Sequence, residues 1–207
     1  MNSTMDNTMN PAAQELVVLL DPAAAQRGEI VASGTAPKAT VHSTDTPLHL
    51  AFSCYLLDGD GRLLVTRRAL TKTAWPGVWT NTLCGHPAPG EALAAGLVRR
   101  SAQELGLDPA TIGDVTCVLD DFMYRATDSR GIVEWEFCPT FVAQVEASAG
   151  SQQVSLLNPD PGEVDSWAWV NPADYVAAVR ATPFAFSPWS VEQLGHPQLL
   201  AALGLSA

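Results

Sequence analysis

The stretch LHLAFSCYLLDGDGRLLVTRR, Leu48 to Arg68, constrains the fold more than any other. From Leu48 to Leu57 the side chains are apolar and aromatic apart from His49 and Ser53, the pattern of a buried strand. Asp58 to Gly61 reads DGDG, a strong turn signal, and the apolar run resumes from Arg62 to Arg68. Two such runs around one tight turn predict a β-hairpin. A buried hairpin must be covered, and the rest of the chain supplies strands and helices to do so. Glu15 to Leu20, Val115 to Ala126 and Ile132 to Val145 read as strands, the last as one or two. Glu91 to Leu105 has Leu93, Leu97, Ser101 and Leu105 at helical spacing, with Gly106 as a stop. Asn171 caps a second helix with Pro172 at its first position, ending near Arg180. Interleaved strands and helices predict an α/β fold, an α+β sandwich.

The chain of 207 residues predicts one domain, residues 15–207, after a disordered segment of residues 1–14 rich in Asn, Thr, Ser and Met. A formal net charge of −11 argues against nucleic acid as a partner and suits an acidic membrane surface poorly. No apolar run is long enough to span a bilayer, and no secretory leader precedes the strands. Cys54, Cys84, Cys117 and Cys138 form no CxxC pair, which predicts free thiols in a reducing cytoplasm.

Cations are scarce on this acidic chain. Five of the eleven fall in two short runs, Arg67, Arg68 and Lys72, then Arg99 and Arg100, and either bind a small anion or are solvated surface charges. In VEWEF, Glu134 and Glu136 lie two apart in a strand and face the same side, while Val133, Trp135 and Phe137 face the other. That is an ordinary half-polar strand, or a pair of hard oxygen ligands that with imidazoles would suit Mn or Zn over Ca. His42, His49 and His86 all precede position 90, in segments expected to lie close together. LCGHPAPGE, Leu83 to Glu91, places a cysteine and a histidine around a glycine just before the long helix.

From Gly85 the chain reads G-x5-E-x7-R, through Gly85, Glu91 and Arg99, and Glu104, Gly106 and Leu107 continue the spacing. This resembles the Nudix hydrolase pattern, with departures at Arg100, Ser101 and Gln103. Two of these replace carboxylates, so a chain like this resembles a Nudix fold that keeps a diphosphate without cutting it. DTPLHLAFS (Asp45 to Ser53), LLVTRRALTKTAWPGVWTNTLCGHP (Leu63 to Pro87), YRATDSRGIVEWEFCP (Tyr124 to Pro139) and ATPFAFSPW (Ala181 to Trp189) carry a more specific resemblance, to the type I isopentenyl-diphosphate isomerases. They cover most of the region between Lys38 and Trp189.

The resemblance implies a Nudix-like mixed β-sheet core flanked by helices. It implies isomerisation of isopentenyl diphosphate to dimethylallyl diphosphate by adding one proton and removing another. It implies a metal, Mn²⁺ or Zn²⁺, held by His42, His49, His86, Glu134 and Glu136, and a Mg²⁺ near Glu104 bridging to the diphosphate. It implies diphosphate contacts from Lys38, Arg68, Lys72 and Arg100. It implies acid–base work by Cys84 on one side and by Glu136 and Tyr124 on the other, with the face of Trp189 stabilising a carbocation. The partner is then a small prenyl diphosphate, with no nucleic acid or membrane, and the chain a cytoplasmic monomer. Two other readings stand beside it. One is a Nudix-type hydrolase of a small diphosphate, which would release phosphate. The other is a non-catalytic diphosphate binder, which would have no use for Cys84, Tyr124 and Glu136 together.

Overall fold

In a computed structural model describing residues 15–145 and 157–206, the stretch from Leu48 to Arg68 forms the predicted hairpin. The elements run β1 (Leu16–Leu20), α1 (Pro22–Ala25), β2 (Ala32–Pro37), α2 (Lys38–Val41), β3 (His49–Leu50), β4 (Phe52–Leu57), β5 (Leu63–Arg68), β6 (Trp79–Thr80) and β7 (Leu83–Gly85). They continue α3 (Leu93–Leu105), β8 (Ile112–Leu119), β9 (Met123–Thr127), β10 (Val133–Phe137), β11 (Thr140–Val145), β12 (Val164–Val170), α4 (Pro172–Ala181), α5 (Pro188–Gln193) and α6 (Pro197–Ala202). The expected lead-in, residues 1–14, lies outside the described residues. So does most of the 148–163 loop, where a short strand is expected; its described part, 157–163, is irregular chain and a turn.

Two mixed sheets form. One has the order β2-β1-β3-β10-β9, the other β12-β5-β4-β11-β8 with β6 on β5 and β7 on β4. β3 runs parallel to β10, and β4 parallel to β11; the remaining pairs are antiparallel. Two expected strands each turn out to be two. The Leu48 to Leu57 run breaks at Ala51, so that β3 joins the first sheet and β4 the second. Val115 to Ala126 breaks between Leu119 and Met123, and β8 and β9 likewise fall in different sheets. In the first the apolar run continues through the change of sheet, so the pattern carries no mark of the break, whereas in the second Asp120 and Asp121 sit at it.

β4 is buried along its whole length because both of its faces are covered. Phe52, Cys54 and Leu56 pack with Leu97 and Leu105 of α3. Tyr55 and Leu57 pack with Val176 of α4, Trp189 of α5 and Leu199 of α6. Each large side chain buried in this way stabilises the fold by about 1.5–3 kcal/mol. The expected apolar stripe of α3 is there, with Leu97, Ser101 and Leu105 buried, and one residue behind it runs a second buried row, Gly96, Arg100 and Glu104. That second row carries charge toward the site. The helix starts at Leu93 rather than Glu91, because Glu91 is used elsewhere. α4 begins at Pro172 with the Asn171 side chain accepting from Ala173 N–H, as its sequence predicts.

Gly106 ends α3 in the left-handed region, φ 67°, and its N–H donates to the Ala102 carbonyl. A Cβ there would lie 2.5 Å from the Asn158 carbonyl oxygen. Gly106→Ala meets both the backbone strain and this collision, and should lower unfolding free energy by about 2 kcal/mol. Urea denaturation of the variant against wild type measures it.

Candidate active site

The end of α2, β3, the end of β7 and β10 bring His42, His49, His86 and Glu136 to one point. Glu136 on β10 pairs with His49 on β3 in parallel register, and β7 leads directly into His86. The Nε2 atoms of His42, His49 and His86 lie 3.6, 3.4 and 3.2 Å from Glu136 Oε1. His49 Nε2 is 3.2 Å from His86 Nε2. One ligand atom from each of these four residues falls within 4.8 Å of every other. His49 Nδ1 lies 2.9 Å from the Pro47 carbonyl; an N–H donated there leaves the Nε2 lone pair facing the cluster. His42 Nε2 and His86 Nδ1 are buried with no hydrogen-bond partner among the described residues. Burial lowers His86 to about 3, so its ring is a neutral donor of a lone pair. Burial alone would raise the Glu136 carboxyl, but its contacts with the three imidazoles hold it well below the usual carboxylate range. Lone pairs and a carboxylate oxygen crowded together repel unless a cation sits among them. Donor atoms around a first-row ion at bond lengths of about 2.1 Å lie roughly 3.0–3.4 Å apart, close to the spacing seen here. The set fits a divalent ion with a taste for nitrogen.

Glu134, on the same face of β10, stands outside this group of four. Tyr124, opposite Glu136 on β9, has its hydroxyl 2.9 Å from Glu134 Oε2 and 2.9 Å from Glu136 Oε2. One phenolic proton serves one carboxylate at a time. Burial, reinforced by the charge on Glu136, raises the Glu134 carboxyl. Trp135 faces the other way, as alternation predicts, and packs against the cluster of Leu48, Leu50 and Phe137.

The cavity beside the ion site, about 260 Å³, has Cys84, Gly85, His86, Tyr124, Glu134, Glu136 and Trp189 in its wall. Burial pushes the Cys84 thiol up to about 12, which keeps its proton on at neutral pH. Gly85 has to be glycine for space: a Cβ would lie 2.9 Å from Arg100 Cγ and 3.0 Å from Phe52 Cζ. Trp189 is 1% exposed, and its ring centroid is 5.6 Å from that of Tyr124.

Lys38, Arg68, Lys72 and Arg100 line the same cavity, from four different elements or loops. The two basic runs therefore divide. Arg67 bonds Asp165 and the Gly77 carbonyl, and Arg99 clamps Glu91 through two hydrogen bonds of 2.8 and 2.7 Å, so neither belongs to that wall. Arg99 also donates to the His86 carbonyl at 3.1 Å, and Glu91 accepts from Ala88 N–H. The Gly85–Glu91–Arg99 spacing is thus a brace that sets the backbone of His86. Arg68 is tied by the Ala74 and Trp75 carbonyls, with its guanidinium carbon 5.2 Å from the Trp189 centroid.

Two carboxylates here have no precedent in the sequence reading. Glu163 bonds Lys72 and, at 3.1 Å, Arg100; Glu15 bonds Lys38 at 2.7 Å and lies 3.5 Å from Arg100. Glu104 accepts from Arg100 Nε at 2.8 Å. No spacing signals Glu15 or Glu163; only the shortage of cations against acids hints that each cation is shared.

Residues 47–190 match the family described as NUDIX domain, more than half of the chain. The chain is 53% identical over 190 residues to a Corynebacterium efficiens protein named isopentenyl-diphosphate Delta-isomerase, covering 92% of this chain and 94% of that one. It is 58% identical over 161 residues to a protein of the same name from Cutibacterium acnes, covering 78% and 79%. Among solved structures it superposes on DR0079 from Deinococcus radiodurans with a TM-score of 0.60 at 15% identity, covering 87% of this chain and 98% of that one. It also superposes on a NUDIX hydrolase from Alicyclobacillus acidocaldarius with a TM-score of 0.51 at 13% identity, covering 78% and 98%. These likenesses show the fold.

Two outcomes are expected. Chelator-treated protein should melt at a higher temperature when Mn²⁺ or Zn²⁺ is added, by an amount equivalent to about 2.7 kcal/mol at a hundredfold excess over Kd. His42→Ala should lose that gain in differential scanning calorimetry. Separately, burial alone would raise the Glu163 carboxyl, but Lys72 and Arg100 outweigh it and hold it at about 2. A depressed folded-state value gives stability that is present above the unfolded value of 4.5 and lost as pH falls toward about 2. Glu163→Gln should therefore be less stable than wild type at pH 7, with the difference narrowing as pH drops below 4.5 in urea titrations.

Proposed function

The chain belongs to the isopentenyl-diphosphate Delta-isomerases, a family on the Nudix fold, and from that membership we propose how its own side chains carry the reaction. The activity is isomerisation of isopentenyl diphosphate to dimethylallyl diphosphate, a step of isoprenoid biosynthesis. One proton is added to the terminal methylene carbon, a tertiary cation forms at the branching carbon, and a proton leaves the carbon beyond it. The diphosphate is unchanged.

The observation that carries the reading is the position of two proton-bearing groups on one cavity wall. Cys84 holds a neutral thiol there, and Tyr124 holds a phenol bonded to two carboxylates, Glu134 and Glu136. The thiol gives its proton to the alkene, and a carboxylate of Glu134 or Glu136, reached through the Tyr124 hydroxyl, receives the proton that leaves. Charge on the cation is spread over the Trp189 face, an interaction worth about 2 kcal/mol or more where water is excluded. Tyr124 and Trp189 are each buried, so water that would trap the cation has little room beside them. Lys38, Arg68, Lys72 and Arg100 take the diphosphate, their carboxylate partners Glu15, Glu104 and Glu163 yielding to phosphate oxygens.

His42, His49, His86 and Glu136, with Glu134 one hydrogen bond away, would hold Mn²⁺ or Zn²⁺. That ion would supply positive charge that makes the carboxylate pair more acidic and fixes its orientation. Glu104, a hard oxygen donor on the cavity wall, would meet a Mg²⁺ that arrives with the substrate diphosphate. In this reading residues 15–207 act as one domain and the chain as a monomer. The four free cysteines support a reducing, cytoplasmic setting, and no helix of the described residues is long and apolar enough to cross a membrane.

Proton NMR of the protein with isopentenyl diphosphate, Mg²⁺ and Mn²⁺ in D2O tests the reading. Dimethylallyl diphosphate carrying deuterium is expected; released phosphate would point to hydrolysis instead. Cys84→Ala should lower kcat at least about 10³-fold, within the range that a lost general acid or base costs. Substrate binding by calorimetry should be nearly unchanged. Full activity in Cys84→Ala would overturn the assignment of the thiol.

A further inference from the structure

Between β6 and β7 lies Asn81, which is fully buried and not itself in the cavity wall. Its amide nitrogen donates both hydrogens to backbone carbonyls, Cys54 at 3.0 Å and Leu83 at 2.9 Å. With both donors spent, the oxygen has one orientation. It accepts from three side chains: Thr80 Oγ1 at 2.7 Å, Trp189 Nε1 at 2.9 Å and Cys84 Sγ at 3.3 Å. The indole N–H can only donate, and Asn81 Oδ1 can only accept, so these roles are fixed.

The thiol's other neighbour is built in the same way. Ser53 Oγ lies 3.3 Å from Cys84 Sγ and accepts from Gln193 Nε2 at 3.0 Å. Gln193 Oε1 accepts from the Tyr55 hydroxyl at 3.0 Å, which orients that amide as well. Trp189 and Gln193 stand one turn apart on α5, so a single helix face anchors both oxygens that touch the thiol. Ser187 caps α5 and lies 2.8 Å from Thr80 Oγ1, tying the helix start to the same amide.

We propose that Asn81 is a positioning residue that locks the Cys84 thiol and the Trp189 indole into one rigid pair. The role rests on the isomerase reading above and deepens it. A carbocation has to form against the indole while a proton moves to or from a group at fixed reach. Two side chains from separate elements, β7 and α5, drift independently unless something joins them. A bridge of two hydrogen bonds through one oxygen joins them with no chain in between. An asparagine that served only to staple β4 and β7 would need its two nitrogen bonds alone; the threefold-accepting oxygen goes beyond that need.

The test reads the pair directly. The S–H stretching band of Cys84 is isolated by infrared difference against Cys84→Ala. Trp189→Phe keeps an aromatic ring and removes neither donor nor acceptor of the thiol, yet it relieves Asn81 of one donor. The Cys84 bond to Asn81 should then strengthen and the band move to lower frequency. In Asn81→Ala and Asn81→Ser the band should move to higher frequency, and the Trp189 indole N–H resonance should shift. Turnover in either folded Asn81 variant should fall about 10²-fold, the cost of a displacement near 1 Å. KM should stay within about threefold, the pattern of an interaction realised in the transition state. Should Asn81→Ala fail to fold, Asn81→Ser and the Trp189→Phe band shift decide. An unmoved band in Trp189→Phe, or kcat within about threefold of wild type in a folded Asn81 variant, would overturn the proposal. A wild type that makes no deuterated product would overturn the isomerase reading itself. A wild type that does, with the band unmoved, overturns the role of Asn81 alone.

Discussion

The site depends on keeping one buried carboxylate charged. Glu136 is 5% exposed, and an isolated ionised carboxylate at that depth would take up a proton instead. Three imidazoles converge on its Oε1, and a divalent ion held among them would prevent this. The fold meets the demand with backbone register. The parallel pairing of β3 with β10 sets His49 beside Glu136, and the antiparallel pairing of β9 sets Tyr124 on the opposite flank. β4 and β7 then carry Gly85, and with it His86, to the same place. Splitting the long apolar run at Ala51 gains its meaning here: β3 serves the ion site in one sheet, β4 the core in the other.

Charge is arranged along the cavity in a gradient. At one end the carboxylates Glu134 and Glu136 face imidazoles; at the other, Lys38, Lys72 and Arg100 face Glu15, Glu104 and Glu163. Each of these cations thus has an acid neighbour. Arg68 is held by backbone carbonyls and lies over Trp189, with Glu134 at 3.8 Å. In the proposed mechanism an incoming diphosphate would compete with carboxylates for donors already in place, so the side chains would need little reordering when it binds. The same competition explains why a divalent ion accompanying the substrate would help: the freed carboxylates need a cation of their own.

Much of this was legible in the chain. The alternation in VEWEF places Glu134 and Glu136 together with no other information, and the α3 stripe and its Gly106 stop follow from spacing. The DGDG turn gives the hairpin. β2 was not legible because ASGTAP is an exposed edge strand with no alternating pattern. The break in the Leu48 run was hidden because both sides of it are buried strand; the break in the Val115 run falls at Asp120 and Asp121, between strands that are mostly not buried. Glu15, Glu163 and Asn81 were out of reach for another reason. Their partners are distant in sequence, as Asn81 and Trp189 are 108 residues apart, and a lone acid or amide in a loop carries no periodicity. His42, His49 and His86 became a set through the family resemblance; the residues alone offered only their nearness.

The altered helix explains why this Nudix fold spares the diphosphate. Arg100 stands where the hydrolase pattern has a carboxylate, and its guanidinium binds Glu104, one turn on along the same buried row. Burial would lower the guanidinium's affinity for its proton, but Glu104 and Glu163 raise it, so it remains a cation. A fixed cation there lowers the basicity of any carboxylate beside it and leaves poor company for an activated water. In the proposed mechanism the same cation would improve the hold on a phosphate oxygen. By that mechanism one substitution turns a cutting edge into a grip, and the chemistry belongs to the part of the cavity wall that carries Cys84, Tyr124 and Trp189.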